Sequence, residues 1–416
     1  MPIELSAILH TYQPFRDRRE VAFIPLKERL NERSRNLIPN PDGSPPSDWT
    51  LDEITPECYE VLAKGRVFSR LPFNVGPSLL KDLELHRKDL YKKIIDSEKE
   101  SFDRFGHSNA LAQASPSHSI VPLLKDKEEK LLHVLWSIEE YEKHYNRFPE
   151  GMWLPECAAD SETLSILADV GIKYVILAPK QAKEVKKLFS EDWASKEDGT
   201  IDPSKVYKIH FEETGKELAV FFYDKYISHD FAFPPEKENT WYYQNSENFL
   251  HRWLEPSLEF IHFGLDGETF GHHIKEKAPL LVGAVDLIDN QSENWKNATF
   301  TNYGQFLEKN KPEYDVRIHE NSSWSCENDH ELGRWGAPTS VEREHDGHKW
   351  DEALCKCGSL GSEWRIQKKN AFDDLAIYLD LIYKRYANKY LKDPESAIKD
   401  YGKVVSRNIT LDDFFN

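Results

Sequence analysis

Apolar positions along the chain fall into two patterns. Near-continuous apolar runs at 3–9, 172–178 (IKYVILA) and 257–265 (SLEFIHFGL) read as strands buried on both faces. Elsewhere apolar residues recur at helical spacing. The stretch 78–96 carries Leu79, Leu80 and Leu83, and 125–145 carries Leu131, Leu132, Leu135, Ile138 and Tyr141. Between 151 and 178 the two patterns interlock: GMWLPE ends a strand, Asp160 caps a helix through Ala168, Gly171 stops it, and a strand follows. Further strands are expected at 206–211 and 219–226, around an EETGKE turn, and at 314–319. Further helices are expected at 246–254, at 274–288 and from Trp364 onward. Segment 31–57, rich in Pro, Asn, Asp and Ser, reads as a loop insertion.

Strand and helix therefore alternate, which is the grammar of a parallel sheet. Polar side chains gather where strands end: His10, Glu156 and Asp266 each fall just past an expected strand end. A parallel barrel collects those ends on one face, so residues far apart in sequence can meet in one pocket.

Composition narrows the choice of partners. Of 416 residues, 54 are Lys or Arg and 72 are Asp or Glu, giving a net charge of −18. Such a surface repels phosphate backbones, so nucleic acid is not expected as a partner. No apolar run is long enough to span a bilayer, and the first residues lack a basic n-region and a small-residue cleavage site. The expected location is cytoplasmic. Five cysteines, an odd number, argue against a disulfide framework. Cys355-Lys356-Cys357 is too closely spaced for the usual zinc knuckle, and Cys326 lies 29 residues upstream. Reduced buried thiols are the simpler reading. No metal or other cofactor is expected.

Glu156 follows Pro155, which cannot join a sheet ladder and so breaks the strand just before the carboxylate. An acid in the first turn of a helix would account for it equally well. Asp266 opens Asp266-Gly267-Glu268-Thr269-Phe270-Gly271-His272-His273, which crowds two carboxylates and two imidazoles into eight residues. Asp-Gly is also ordinary turn chemistry. Two carboxylates on separate strand ends suit glycoside hydrolysis, one attacking the anomeric carbon and the other exchanging the proton. Alternatively, His10, His107, His118, His272 and His273 could join Asp266 around a metal ion. That arrangement would suit a metal-dependent deacetylase or mannosidase. A carbohydrate-binding protein without catalysis is the third possibility.

Several segments, in order, resemble the short motifs of glycoside hydrolase family 57, an α-amylase-like group. They are LHTYQPFRD (9–17), FNVGPSLL (73–80), GHSNALAQ (106–113), His118 with Pro122, GMWLPECAAD (151–160), GLDGETFGHH (264–273), TNYGQFL (301–307) and ENSSWSC (320–326) with Gly333-Arg334-Trp335. The last two are similar to the signature of a subgroup that often carries an extra C-terminal domain. The resemblance implies an incomplete (β/α)7 barrel over residues 1–320, with a mainly helical region at 321–416 packed on it.

The resemblance also implies a retaining hydrolase or transglycosidase acting on α-glucan. Glu156 would be the nucleophile and Asp266 the acid/base. His10 would contact the sugar near the cleavage point, and His118, Trp153 and His272 would line the donor subsite. Tyr12, Gln13, Glu268, Trp324 and Trp335 complete the expected substrate-binding set. Two features depart from the family pattern. Tyr12 replaces a His in the first motif, and GAPTSVEREHDGHKWDEAL separates Trp335 from Cys355.

Overall fold

The computed structural model describes residues 3–13, 54–196, 199–235, 240–256, 258–275, 277–326, 332, 335 and 363–415. Gly333, Arg334, Cys355, Cys357 and most of the 31–57 segment lie outside the described residues.

Seven parallel strands form the frame: β1 (Ile3–Thr11), β2 (Phe73–Val75), β3 (Ala112–Gln113), β4 (Gly151–Trp153), β5 (Tyr174–Leu177), β6 (Lys216–Phe222) and β7 (Phe260–Asp266). β7 pairs with β1 along its whole length, and β1 pairs with β2 at its far end. A bridge between Phe73 and Ala110 carries the ladder toward β3, which continues through β4 and β5 to β6. Between β6 and β7 the seam is loose. The Asp224 backbone N–H donates to the His262 carbonyl at 2.8 Å, and the Gly264 N–H donates to the Ser228 hydroxyl at 3.0 Å. This is the incomplete (β/α)7 barrel that the family resemblance implies. Strand Tyr207–Phe211 runs antiparallel to β6 and extends the sheet outward through Tyr314–Ile318, Ala182–Lys187 and Ala194–Ser195.

The strand patterns explain the frame. Leu5, Ala7, Ile8 and Leu9 of β1 are all fully buried, as a strand covered on both faces requires. Helices close the layers, and their ends carry the chemistry that orphan backbone groups demand. Asp126 caps helix Lys127–Tyr145 by accepting from Glu129 N–H. Asp160 caps Ser161–Val170 by accepting from Thr163 N–H, and that helix ends at Gly171 with φ +98°.

Three expectations are corrected. The single helix at 78–96 is two helices, Pro77–His86 and Lys88–Phe105, broken at Arg87 (φ −136°, ψ 53°). The apolar period runs through the break, from Leu83 to Leu90 and Ile94, so the sequence carries no sign of it. The second helix runs on to Phe105, and apolar spacing misses the continuation because the buried face turns polar at Ser97, Glu98 and Ser101. Glu98, sunk in the core, accepts from the Ser108 hydroxyl and the backbone N–H groups of Asn109 and Ala110. The helix expected at 274–288 begins only at Ala278, with Pro279 in its first turn; Ile274–Lys275 pairs instead with Phe270–Gly271. The insertion expected to reach residue 57 is already helical from Ile54, in a π-helical turn at Thr55–Tyr59 and a helix at Glu60–Lys64.

The C-terminal helices Pro394–Asp400 and Gly402–Val405 pack on Lys127–Tyr145 around Trp136. Its indole donates to the Ile398 carbonyl at 3.1 Å, and its ring meets Tyr401 edge-on. The preceding helix, Glu363–Tyr386, exposes Phe372, Leu375, Leu379 and Leu381. Among the described residues no helix is long and apolar enough to cross a membrane.

Candidate active site

Strand register sets the barrel's C-terminal rim. His10 on β1 is level with Asp266 on β7 and with Asn74 on β2, and Gln113 on β3 is level with Trp153 on β4. A cavity of about 660 Å³ opens on this face and is bordered by both Glu156 and Asp266. Between those carboxylates it is lined by Lys180 after β5, Tyr223 and Lys225 after β6, and Leu265 on β7, with Trp324, Ser325 and Trp335 beyond.

Glu156 sits in the turn Pro155–Cys157, just past β4. Its backbone is left-handed (φ 60°), and so is that of Cys157 (φ 50°). Each such residue costs on the order of 1–3 kcal/mol and persists only where the surroundings fix it. They do so here. The Cys157 and Ala158 N–H groups close the turn on Leu154 and Pro155, the Gln181 amide donates to the Cys157 carbonyl at 2.8 Å, and the Trp324 N–H donates to the Glu156 carbonyl at 3.2 Å. Two donors then converge on Oε2 of the Glu156 carboxylate: the Trp324 indole N–H and the Ser325 hydroxyl, each at 2.8 Å.

Asp266 ends β7 in different surroundings. Burial is the main cause that pushes its carboxyl up to about 8, and the negative charges of Glu268 and then Glu156 push the same way. Asp266 therefore holds a proton at neutral pH. Glu156 and Asp266 border the same cavity, close enough for the charge of one to raise the other. Glu268 borders no part of that cavity. It is buried behind Asp266, where its Oε1 accepts from the Tyr59 hydroxyl and from the Tyr12 N–H. Burial raises its carboxyl to about 7, against the opposing pull of those donors.

His10 is buried and neutral, its imidazole pushed down to about 4 mainly by burial. The Asn74 amide nitrogen donates to the Leu111 carbonyl at 2.8 Å, which turns its oxygen toward His10. The imidazole Nδ1–H therefore donates to it at 2.9 Å. Nε2 is left as an acceptor. His118 repeats the device. The Gln113 amide donates to the Ser115 carbonyl at 2.6 Å and accepts from His118 Nδ1 at 2.9 Å. Burial and the nearby His10 lower the His118 imidazole to about 3. The rings of Tyr12 and His118 stack at 3.8 Å, those of His10 and Trp153 at 5.0 Å, and Trp324 meets Trp153 edge-on at 5.2 Å.

The expected residues thus divide. Glu156, Asp266, Trp324 and Trp335 border the cavity. His10, Tyr12, His118 and Trp153 form an aromatic wall behind it, with Trp153 wholly buried. The Gln13 side chain hydrogen-bonds Tyr59 and Glu268. At the outer lip His273, not His272, lines the cavity. Residues not anticipated are Asn74, Gln113 and Ser325, each inside a motif-like segment, and Lys180, Lys225 and Tyr59, which no motif marked. Cys58 and Cys157 are buried free thiols, and Cys326 is buried as well. Among the described residues no group of three or more His, Cys, Asp and Glu side chains could hold a metal ion.

Comparison with known proteins adds the lineage. The model of the family described as glycosyl hydrolase family 57 matches residues 89–317, more than half of the chain. The structure resembles an exo-type maltose-forming amylase from Pyrococcus sp. ST04, with a TM-score of 0.63 and 16% identity, over 98% of this chain and 68% of that one. It also resembles a GH57-type branching enzyme from Pyrococcus horikoshii, with a TM-score of 0.54 and 16% identity, over 100% of this chain and 97% of that one. A third likeness is to the 4-α-glucanotransferase of Thermococcus litoralis, with a TM-score of 0.52 and 16% identity, over 77% of this chain. The match spans only 42% of that longer protein. A search of curated proteins gives no match.

Proposed function

The chain belongs to glycosyl hydrolase family 57, and from that premise we propose that it hydrolyses or transfers α-linked glucosyl groups with retention of configuration. The observation that carries the reading is one cavity bordered by two carboxyl groups in contrasting surroundings: Glu156 held by two hydrogen-bond donors, Asp266 buried and pushed up by neighbouring charge. The amylase, branching-enzyme and glucanotransferase activities named for the structural relatives favour an α-glucan as substrate.

In this mechanism Glu156 attacks the anomeric carbon while Asp266 gives its proton to the departing glycosidic oxygen. The C–O bond breaks and a glycosyl ester forms on Glu156. Asp266, now ionised, takes a proton from water or from an acceptor sugar hydroxyl. The resulting oxygen nucleophile displaces Glu156, so both carboxyls return to their starting states. The donors from Trp324 and Ser325 fix Oε2, leaving Oε1 as the attacking atom. Neutral His10 offers Nε2 to a sugar hydroxyl, and the stacked rings behind it exclude water from the site. Metal-dependent deacetylation would need His and Asp ligands around one ion, and among the described residues no group of three or more His, Cys, Asp and Glu side chains is placed to hold one.

Product analysis by chromatography after incubation with maltooligosaccharides, amylose, glycogen, trehalose and α-galactosides tests the reading. Shortened or rearranged α-glucans are expected from the native chain and none from Glu156→Gln or Asp266→Asn. Turnover restricted to other glycosides would overturn the substrate. Full activity in either variant would overturn the roles.

A further inference from the structure

The π-helical turn Thr55–Tyr59 lies outside the family match and far from Asp266 in sequence, yet it docks against the turn that follows Asp266. Three consecutive residues make the contact. The Tyr59 hydroxyl donates to Glu268 Oε1 at 2.5 Å, the Cys58 thiol reaches the Gly267 carbonyl at 3.5 Å, and the Glu57 carbonyl packs against Gly271. A Cβ at Gly271 (φ +113°) would fall 2.2 Å from that carbonyl oxygen, so only glycine permits the approach. Single π-turns of this sort often mark functional positions.

Tyr59 is 1% exposed and Glu268 5%, so the contact lies fully inside the protein. A buried carboxylate pays heavily for its charge and keeps it only where donors hold it. Here those donors are Tyr59 Oη, the Tyr12 N–H and the Gln13 side chain. From that position Glu268 is the charge that acts most strongly on Asp266. The other groups around the pair are Glu156, the Cys157 and Cys58 thiols, the Tyr223 phenol and neutral His10. Lys180, Lys225, His229 and His273 border the cavity.

We propose that Tyr59 is a positioning residue acting through Glu268: its hydroxyl holds Glu268 as an anion, and that anion keeps the acid proton on Asp266. Without the hydroxyl, Glu268 takes up a proton more readily, and Asp266, relieved of that neighbouring charge, ionises at lower pH. The consequence for turnover rests on the acid/base role assigned to Asp266, but the ionisation itself does not.

The test uses the full chain carrying Tyr59→Phe. Infrared difference spectra against Asp266→Asn, in the native and Tyr59→Phe backgrounds, follow the protonated Asp266 carboxyl as pH rises. The midpoint is expected to fall by at least about one pH unit, the scale of removing one nearby like charge. The alkaline limb of kcat/KM on maltoheptaose should fall with it. Glu268→Gln should give the same shift, with no further shift in the double variant, and it carries the test if Tyr59→Phe does not fold. An unchanged midpoint in a folded variant, or shifts that add in the double variant, would overturn the proposal. A midpoint that shifts while Asp266→Asn keeps full turnover would instead overturn the catalytic assignment and leave this coupling standing.

Discussion

Two carboxyl groups border one cavity, and the barrel treats them in opposite ways. At the β4 rim Glu156 receives two hydrogen bonds on one oxygen, from an indole and a hydroxyl, and its backbone is locked in a strained turn. At the β7 rim Asp266 is pressed by burial and by two neighbouring anions, which hold it protonated to about pH 8. In the proposed mechanism surroundings rather than residue type divide the labour: hydrogen-bond donors suit the nucleophile, and anionic neighbours suit a proton-holding acid.

The largest effects should come from erasing either side of this contrast. Asp266→Asn removes proton transfer, a contribution of about 10²–10⁴-fold, while Glu156→Gln should leave only background turnover. Azide should distinguish the two sites. It is expected to rescue Asp266→Ala with a retained glycosyl azide, and Glu156→Ala, if at all, with an inverted one. Identical azide products from both variants would erase the distinction.

The next effect is a pH dependence. The acid works only while protonated, so kcat/KM should fall as pH rises through about 8, the value to which burial, Glu268 and Glu156 raise Asp266. Activity rising through that range would contradict the assignment. Smaller still, Trp324→Phe deletes one donor to the Glu156 charge, worth about 1.5–3 kcal/mol, and should lower kcat by about ten- to a hundredfold. Ser325→Ala should cost toward the lower end of that range. If neither variant moves kcat, the donors do not position the nucleophile. The smallest effect is a control away from both rims. Asp126→Ala removes the cap of helix Lys127–Tyr145 and should lower stability by about 1 kcal/mol in denaturant unfolding, with kcat unchanged.

Glu156 and Asp266 were legible in the sequence because apolar strand runs end beside them, and a parallel barrel gathers such ends. His10 was legible for the same reason, although it lies within β1 and not past it. The amides that set its chemistry were not. Asn74 and Gln113 act by orienting imidazoles, a role with no signature in residue type or spacing. Tyr59 was beyond reach because its partner lies 209 residues away. Glu268 read as a substrate contact because it stands beside Asp266 in the chain, but the turn directs it inward. The break at Arg87 and the helix's run to Phe105 escaped for a common reason: apolar periodicity neither sees a kink that keeps the stripe aligned nor follows a buried face once it turns polar.

The central claim is that Glu156 becomes covalently glycosylated. Asp266→Asn can be loaded with an α-glucosyl or α-maltosyl fluoride, whose leaving group needs no acid, and then digested and sequenced by mass spectrometry. The account predicts a glycosyl ester on the peptide carrying Glu156. A sugar on any other residue, or an inverted product released with no adduct, would contradict it.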